Sequence, residues 1–289
     1  MSSDALGCQE APVGSGYAGK VTEHPLQAWR DTLEELGVMG LVREPLQAAP
    51  APAVATETAP ARHAVARPAP TTASRPIAVY APPTDAIGCP TAEAVAGATS
   101  LQELQLAIQG CLACPLGPGR LKFVFGEGDA QARLLFVGEG PGRDEDLQGR
   151  PFVGKAGELL DKMIGAIGLR RDQTYIANVV KCRPPDNRTP TSEEAAACLG
   201  YLRRQIELIR PAVIVTLGAT PLRELVGVSE GITRVRGQWK RVVVGGREIP
   251  VMPTFHPAYV LRQYTQDVRR AVWEDLKAAK EWADKAEGA

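Results

Sequence analysis

Four short apolar runs mark the second half of the chain: "RLLFVG" (133–138), "TYIANVV" (174–180), "AVIVTLG" (212–218) and "IPVMPTFH" (249–256). Rich in Leu, Val, Ile and Phe and bounded by polar or glycine-containing segments, they predict buried strands. Between and after them, apolar residues return at helical spacing over about Lys155–Ile167, Ser192–Ile209, Thr220–Val226 and Gln266–Lys285. Strands alternating with helices predict an α/β fold with a parallel sheet covered on both faces. "RVVVGGREIPVM" adds a hairpin, with Gly245 and Gly246 as its turn. Ligands of such sheets bind beyond the carboxyl ends of the strands. "GEGPG", "NVVKCRPP" and "HPAYVLR" all fall there.

The first part of the chain reads differently. "HPLQAWRDTLEELGVMGLVREP" sets Leu26, Trp29, Leu33 and Leu36 on one helical stripe before Gly37, predicting one short amphipathic helix. From Leu46 to Thr84 the chain is mostly Ala, Pro, Thr and Val, too poor in large apolar side chains to offset the entropy of ordering, so a disordered linker is expected. The expected organisation is a helical segment at 1–46, a linker at 47–94 and the folded domain at 95–289. The formal net charge of zero hides this division: residues 1–99 sum to −4 and residues 100–289 to +4. A mild basic excess on the folded part is compatible with a nucleic-acid groove.

No run of apolar residues is long enough to span a bilayer, and the first residues lack a basic stretch followed by an apolar core, so a cytoplasmic protein without membrane attachment is expected. In a reducing cytosol the six cysteines are not expected to form disulfides. Four fall in the folded part, as Cys111-x2-Cys114, then 67 residues, then Cys182-x15-Cys198. A Cys-x2-Cys turn joined by a second pair supplies four thiolates for one metal centre, zinc or iron–sulfur. Cys8 and Cys89 are placed outside the domain.

From about Leu101 to Trp282 the chain resembles the family 4, iron–sulfur branch of the uracil-DNA glycosylases, through "CLAC", "GEGPGRDEDLQGRPFVGKAG", "YIANVVKCRPPDNRTP", Cys198 and "HPAYVLR". The resemblance implies a three-layer α/β/α fold around a four-stranded, mainly parallel sheet. It also implies a [4Fe–4S] cluster on Cys111, Cys114, Cys182 and Cys198, and hydrolytic removal of uracil from DNA without strand cleavage.

The residues make chemical sense of that activity. A base must leave the stack to be excised, and Phe152 offers it a surface to stack on. Asn178, at the end of the second strand, can accept from uracil N3–H and donate to O4, a pair that cytosine reverses. The resemblance assigns exclusion of thymine to Glu145. His256 matches the family's catalytic histidine and would donate to the departing uracil O2, helped by backbone N–H groups of residues 139–142. Where the best-known branch of the superfamily has an aspartate, this chain has Gly140, leaving Glu139 as the candidate for positioning water.

Arg234, Arg236, Lys240 and Arg241, interleaved with Trp239, suit phosphate contact, as do Lys181, Arg183 and Arg188. Leu261 and Arg262 suit entry into the gap left by a flipped base. The expected partner is uracil-containing DNA, met by a monomer; the N-terminal helix is read first as packing loosely on the main domain and second as a tethered docking element for a protein partner. Two other functions compete. A covalent uracil-DNA trap would carry a histidine-containing insert that "KCRPPDNRTP" lacks, and a non-catalytic iron–sulfur module would bind DNA or a replication factor.

Overall fold

The computed structural model describes residues 88–286; the amphipathic stripe at 26–36, the Ala/Pro-rich stretch and Cys8 lie outside them. The first described elements are closed by side-chain caps. Thr91 Oγ1 accepts from Ala94 N–H at the start of α1 (Ala92–Gly97), and Ser100 Oγ accepts from Glu103 N–H at the start of α2 (Leu101–Ile108). α2 turns Leu104 and Ile108 fully inward. The fold thus begins ahead of the boundary expected at residue 95, which falls inside α1.

The strands are β1 (Glu127–Gly128), β2 (Leu134–Gly138), β3 (Tyr175–Asn178), β4 (Val213–Leu217), β5 (Lys240–Val244) and β6 (Arg247–Thr254). They form one sheet in the order β1-β3-β2-β4-β6-β5. β3, β2, β4 and β6 are mutually parallel and correspond to the four apolar runs, while β1 and β5 add antiparallel edges. The sheet therefore has six strands rather than the expected four. β1 is only two residues long and carries no period, and β5 is the outer arm of the Gly245–Gly246 hairpin, whose two glycines take φ of 56° and 74°.

The helices of six or more residues that follow are α3 (Arg143–Gln148), α4 (Lys155–Ala166), α5 (Ser192–Ile209), α6 (Pro257–Arg262) and α7 (Gln266–Lys285), with shorter helical segments at Ala219–Pro221, Leu222–Val226 and Ile232–Val235. Alternate strand residues feed two cores. Leu135, Val137, Tyr175, Ala177 and Ile214 join the core beneath α2 and α5, whereas Leu134, Phe136, Ile176, Val213 and Val215 join the core beneath α4 and α7. The result is the expected α/β/α sandwich. Chain order places β3 on one side of β2 and β4 on the other, so the connections leave β2 in opposite directions. A crevice opens at such a switch point, beyond the carboxyl end of β2.

Candidate active site

That crevice is a cleft of about 990 Å³, lined among others by Glu139, Gly140, Glu145, Phe152, Asn178, Gly218, Thr220, His256 and Arg262. It is at the upper end of sizes for small-molecule sites and has room for a nucleotide with its flanking groups. The three strand ends named from the sequence meet here: the loop after β2, the end of β3 and the segment after β6.

The floor is set by Gly138, which pairs directly with Asn178 across β2 and β3. A Cβ at 138 would stand 2.4 Å from Asn178 Oδ1 and 2.5 Å from the Phe152 ring. The absent side chain is what lets these two groups share one slot. Asn178 is only 2% exposed, and its Oδ1 is buried without a hydrogen-bond partner. A buried orphan acceptor costs roughly 1–3 kcal/mol, and the residue that carries it lines the cleft.

Phe152 is 6% exposed and has φ of 51°, a left-handed conformation that costs a non-glycine residue roughly 1–2 kcal/mol. Its loop is held from two sides. Glu145 Oε1 accepts from Val153 N–H at 2.9 Å and Gly154 N–H at 3.1 Å, while Oε2 accepts from Gly142 N–H at 3.1 Å. Arg171 donates to the carbonyls of Pro151 at 2.5 Å and Phe152 at 3.2 Å. Gly157 lets the first turn of α4 approach, since a Cβ there would lie 1.9 Å from the Phe152 carbonyl. Glu145 does line the cleft, but its carboxylate is committed to tying the β2 loop to the Phe152 loop.

His256 caps α6. Its Nδ1 accepts from Ala258 N–H at 3.1 Å, so the neutral ring carries its proton on Nε2. Burial, reinforced by the positive charge of Arg262 and opposed by Glu145, pushes its pKa down to about 4. At neutral pH the side chain is an uncharged N–H donor. Its ring lies 5.7 Å from that of Phe152, centroid to centroid. Behind it, Gly218 takes φ of 97° and leaves room for the imidazole, 3.3 Å from the His256 Cβ to the Cβ that Gly218 lacks.

Glu139 Oε2 accepts from Thr220 Oγ1 at 2.5 Å, which fixes the carboxylate at the cleft wall. A side chain at Gly140 would meet Val180 Cγ2 at 2.6 Å, so this backbone has no space for an aspartate there without movement. An aromatic face, a buried amide acceptor and a neutral N–H donor thus surround one slot. Together they can hold a planar ring bearing an N–H edge and stabilise negative charge that develops on it.

The basic candidates divide. Arg262 lines the cleft, and the neighbouring Leu261 is 41% exposed at the end of α6. Arg234 is exposed and Lys240 half-buried, both outside the cleft lining. Arg236 turns inward onto Asp275, at 2.9 and 2.5 Å, and Ala271 O at 2.8 Å. Lys181 is fully buried, donating to Asn178 O and Gln205 Oε1 at 2.9 and 2.6 Å, so it is no phosphate contact. Arg241 pairs with Glu248, and Arg188 is bidentate to Glu194 at 2.7 and 2.6 Å, although it lines the cleft. Arg143 and Lys155 also line the cleft and pair with no carboxylate among the described residues; Arg143 was missed because α3 is too short to mark, and Lys155 although the helix it opens was expected. Arg171, Thr220 and the floor role of Gly138 were missed as well. Gly138 opens "GEGPG", but nothing in that motif marks it as the floor, and nothing near Arg171 in sequence marks its partners.

The four expected ligand cysteines gather at the other core. Tyr201 Oη lies 3.1 Å from Cys111 Sγ and Arg120 Nη1 lies 3.6 Å from Cys182 Sγ. Burial pushes the Cys182 thiol up to about 11, against Arg120 and with Cys114 and Cys111 adding to it. Burial likewise pushes Cys198 up to about 12, against Lys181 and with Cys182 and Cys114 adding to it. Among the described residues no group of three or more His, Cys, Asp or Glu is arranged to hold a metal ion. Cys89 is not remote from the domain as expected. Gly88 O accepts from Leu112 N–H at 3.0 Å, inside the Cys111-x2-Cys114 turn, and the Cys89 thiol is raised by burial and then by Cys111 and Cys114.

Comparisons with known proteins agree with this geometry. The family model for the "Uracil DNA glycosylase superfamily" matches residues 125–277, which carry every side chain lining the slot. A type-4 uracil-DNA glycosylase from Thermotoga maritima is 52% identical over 182 residues, 62% of this chain and 92% of that protein. One from Archaeoglobus fulgidus is 44% identical over 190 residues, 64% and 94% of the two chains. A type-5 uracil-DNA glycosylase from Pyrobaculum aerophilum is 32% identical over 146 residues, covering 45% of this chain and 63% of that one. The chain belongs to the uracil DNA glycosylase superfamily and, within it, to the type-4 uracil-DNA glycosylases.

Proposed function

We propose that the cleft takes a uracil flipped out of DNA and that His256, Asn178 and Phe152 divide the work of excising it. The enzyme is a DNA-repair hydrolase acting on the N-glycosidic bond of uracil in DNA. The observation that carries the assignment of roles is the buried, unpartnered Oδ1 of Asn178 beside the Phe152 ring. Uracil N3–H satisfies that acceptor, whereas cytosine presents a second acceptor there and leaves both lone pairs facing each other. A bidentate amide reading of this kind is worth roughly 1–3 kcal/mol of discrimination, more when buried groups are left unpaired.

As the bond to the sugar breaks, negative charge grows on uracil O2 and positive charge on the sugar. The Nε2–H of neutral His256 stabilises the first. The Glu139 carboxylate, held by Thr220, lies where it can orient water toward the second. With Gly140 in place of an aspartate, leaving-group stabilisation carries most of the barrier reduction and water needs orientation more than deprotonation. Glu145 serves by fixing the Phe152 loop, and Arg262, Arg234, Lys240 and Leu261 meet the strand around the flipped nucleotide.

Cys111, Cys114, Cys182 and Cys198 are suited to a [4Fe–4S] cluster. A single ion needs its ligands to converge on one point, whereas a cluster spreads four thiolates over four irons. Arg120 and the buried Lys181 offset the negative charge of such a group. When bound, the cluster supplies a crosslink joining the 111–114 turn, the segment after β3 and α5.

Incubation with an oligonucleotide containing one uracil tests the reading. Free uracil and an intact strand that breaks only after alkali are expected. Strand cleavage without alkali, or DNA binding with no uracil released, would refute it.

A further inference from the structure

Phe152 reaches its slot only because a short loop, Pro151–Gly154, is bent into an unfavourable conformation. On the amide side Glu145 holds Val153 and Gly154. On the carbonyl side the grip is Arg171, whose Nη2 and Nη1 donate to Pro151 O and Phe152 O at 2.5 and 3.2 Å. Arg171 is itself anchored. Its Nε donates to Glu127 Oε1 at 2.6 Å and its Nη1 to Asp161 Oδ1 at 2.7 Å. Glu127 is held further by Arg150 at 2.7 and 3.1 Å. Burial alone would raise the Glu127 carboxyl, but its bonds to Arg150 and Arg171 outweigh that and hold it below the usual carboxylate range.

The anchor matters because of where Glu127 lies. It pairs with Ile176 across β1 and β3, two residues before Asn178 on the same strand. Arg171 therefore links the loop carrying the stacking ring to the strand carrying the reading amide. We propose that Arg171 is a positioning residue for uracil excision, setting the Phe152 ring at a fixed height over the base that Asn178 reads, through its fork between the Pro151 and Phe152 carbonyls and Glu127. The inference rests on the reading of Phe152 as the stacking surface. Lysine cannot replace it, since one ammonium cannot serve two carbonyls and two carboxylates that a planar guanidinium spans.

A double-mutant cycle tests this. Single-turnover excision, inhibition by free uracil and thermal melting are measured for the parent, Phe152→Ala, Arg171→Ala and the double variant. Loss of base stacking is expected to lower the apparent second-order rate roughly tenfold to a hundredfold in Phe152→Ala. Arg171→Ala should lower it about tenfold, mainly by weakening base capture, weaken uracil inhibition in proportion, and change little when Phe152 is already absent. Glu127→Gln, which keeps the fold but loosens the anchor, should show a smaller loss with the same dependence on Phe152, and covers the case in which Arg171→Ala does not fold. Equal losses in both backgrounds, or uracil inhibition unchanged in Arg171→Ala and Glu127→Gln, would overturn the proposal while leaving the stacking role intact. A Phe152→Ala protein with parental kinetics would overturn the stacking role and the proposal together.

Discussion

Removing the imidazole of His256 separates chemistry from binding more cleanly than any other change in the cleft. His256→Ala deletes two interactions. One is the Nε2–H donor, whose loss from a charge that develops only in the transition state is worth roughly 2.7–4 kcal/mol, or about 10²–10³ in rate. The other is the cap on α6, where Nδ1 accepts from Ala258 N–H at 3.1 Å; losing an N-cap costs about 1 kcal/mol of stability. His256→Asn restores a capping acceptor without restoring the donor's reach, so it should recover melting temperature but not rate. The assay is single-turnover release of uracil at saturating enzyme, with affinity for uracil-containing DNA measured separately and expected to change little. The pH dependence has a definite sign. Burial lowers the pKa of His256 to about 4, so the donor stays neutral and the rate is flat from pH 8 to about 5, breaking only as the ring protonates near 4. Its stability contribution is full above the unfolded value of about 6.5 and declines as pH falls from there toward 4. Markedly weaker DNA binding at an unchanged maximal rate would refute the reasoning. So would a rate that falls as pH rises through about 6.5, since that is the signature of a catalytic imidazolium.

Three further outcomes are expected. The purified protein should be brown with about four irons per chain, and Cys111→Ala or Cys198→Ala should lose iron and folded protein together, whereas Cys8→Ala and Cys89→Ala should keep the full iron content; iron and sulfide analysis with circular dichroism decides. Gly138→Ala should lower the excision rate well beyond its effect on melting temperature, because its methyl enters the space now held by Asn178 Oδ1 and the Phe152 ring; parental kinetics would show that the floor is elsewhere. A chain shortened to begin at Ala86 should keep full excision of uracil from a short oligonucleotide, while one beginning at Val95, having lost the Thr91 cap and the Gly88–Leu112 bond, should melt lower; inactivity of the longer form would place part of the active fold before residue 86.

The parallel strands were legible because each is an apolar run buried on both faces, and the long helices because α4, α5 and α7 keep one stripe inward over several turns. β1 was not, since two residues display no period. α3 and α6 were hidden for the same reason, each being six residues long inside a motif segment. Phe152, Asn178 and His256 were accessible from motif and strand-end position. Their supports were not: Arg171 reaches residues twenty positions away, and Thr220 meets Glu139 from the segment after β4, 81 positions later. The basic run at 234–241 shows the limit of reading charge from composition. Arg234 is exposed, but Arg236, two residues on, is drawn in by the buried Asp275, a partner 39 positions later.

How Asn178 meets the base decides the selectivity of the site, and a crystal structure of the protein with free uracil measures that directly. It should show uracil over the Phe152 ring, N3 within hydrogen-bond distance of Asn178 Oδ1 and O2 facing His256 Nε2. Uracil bound away from this slot, or the amide turned so that Nδ2 meets the ring edge at N3, would contradict it.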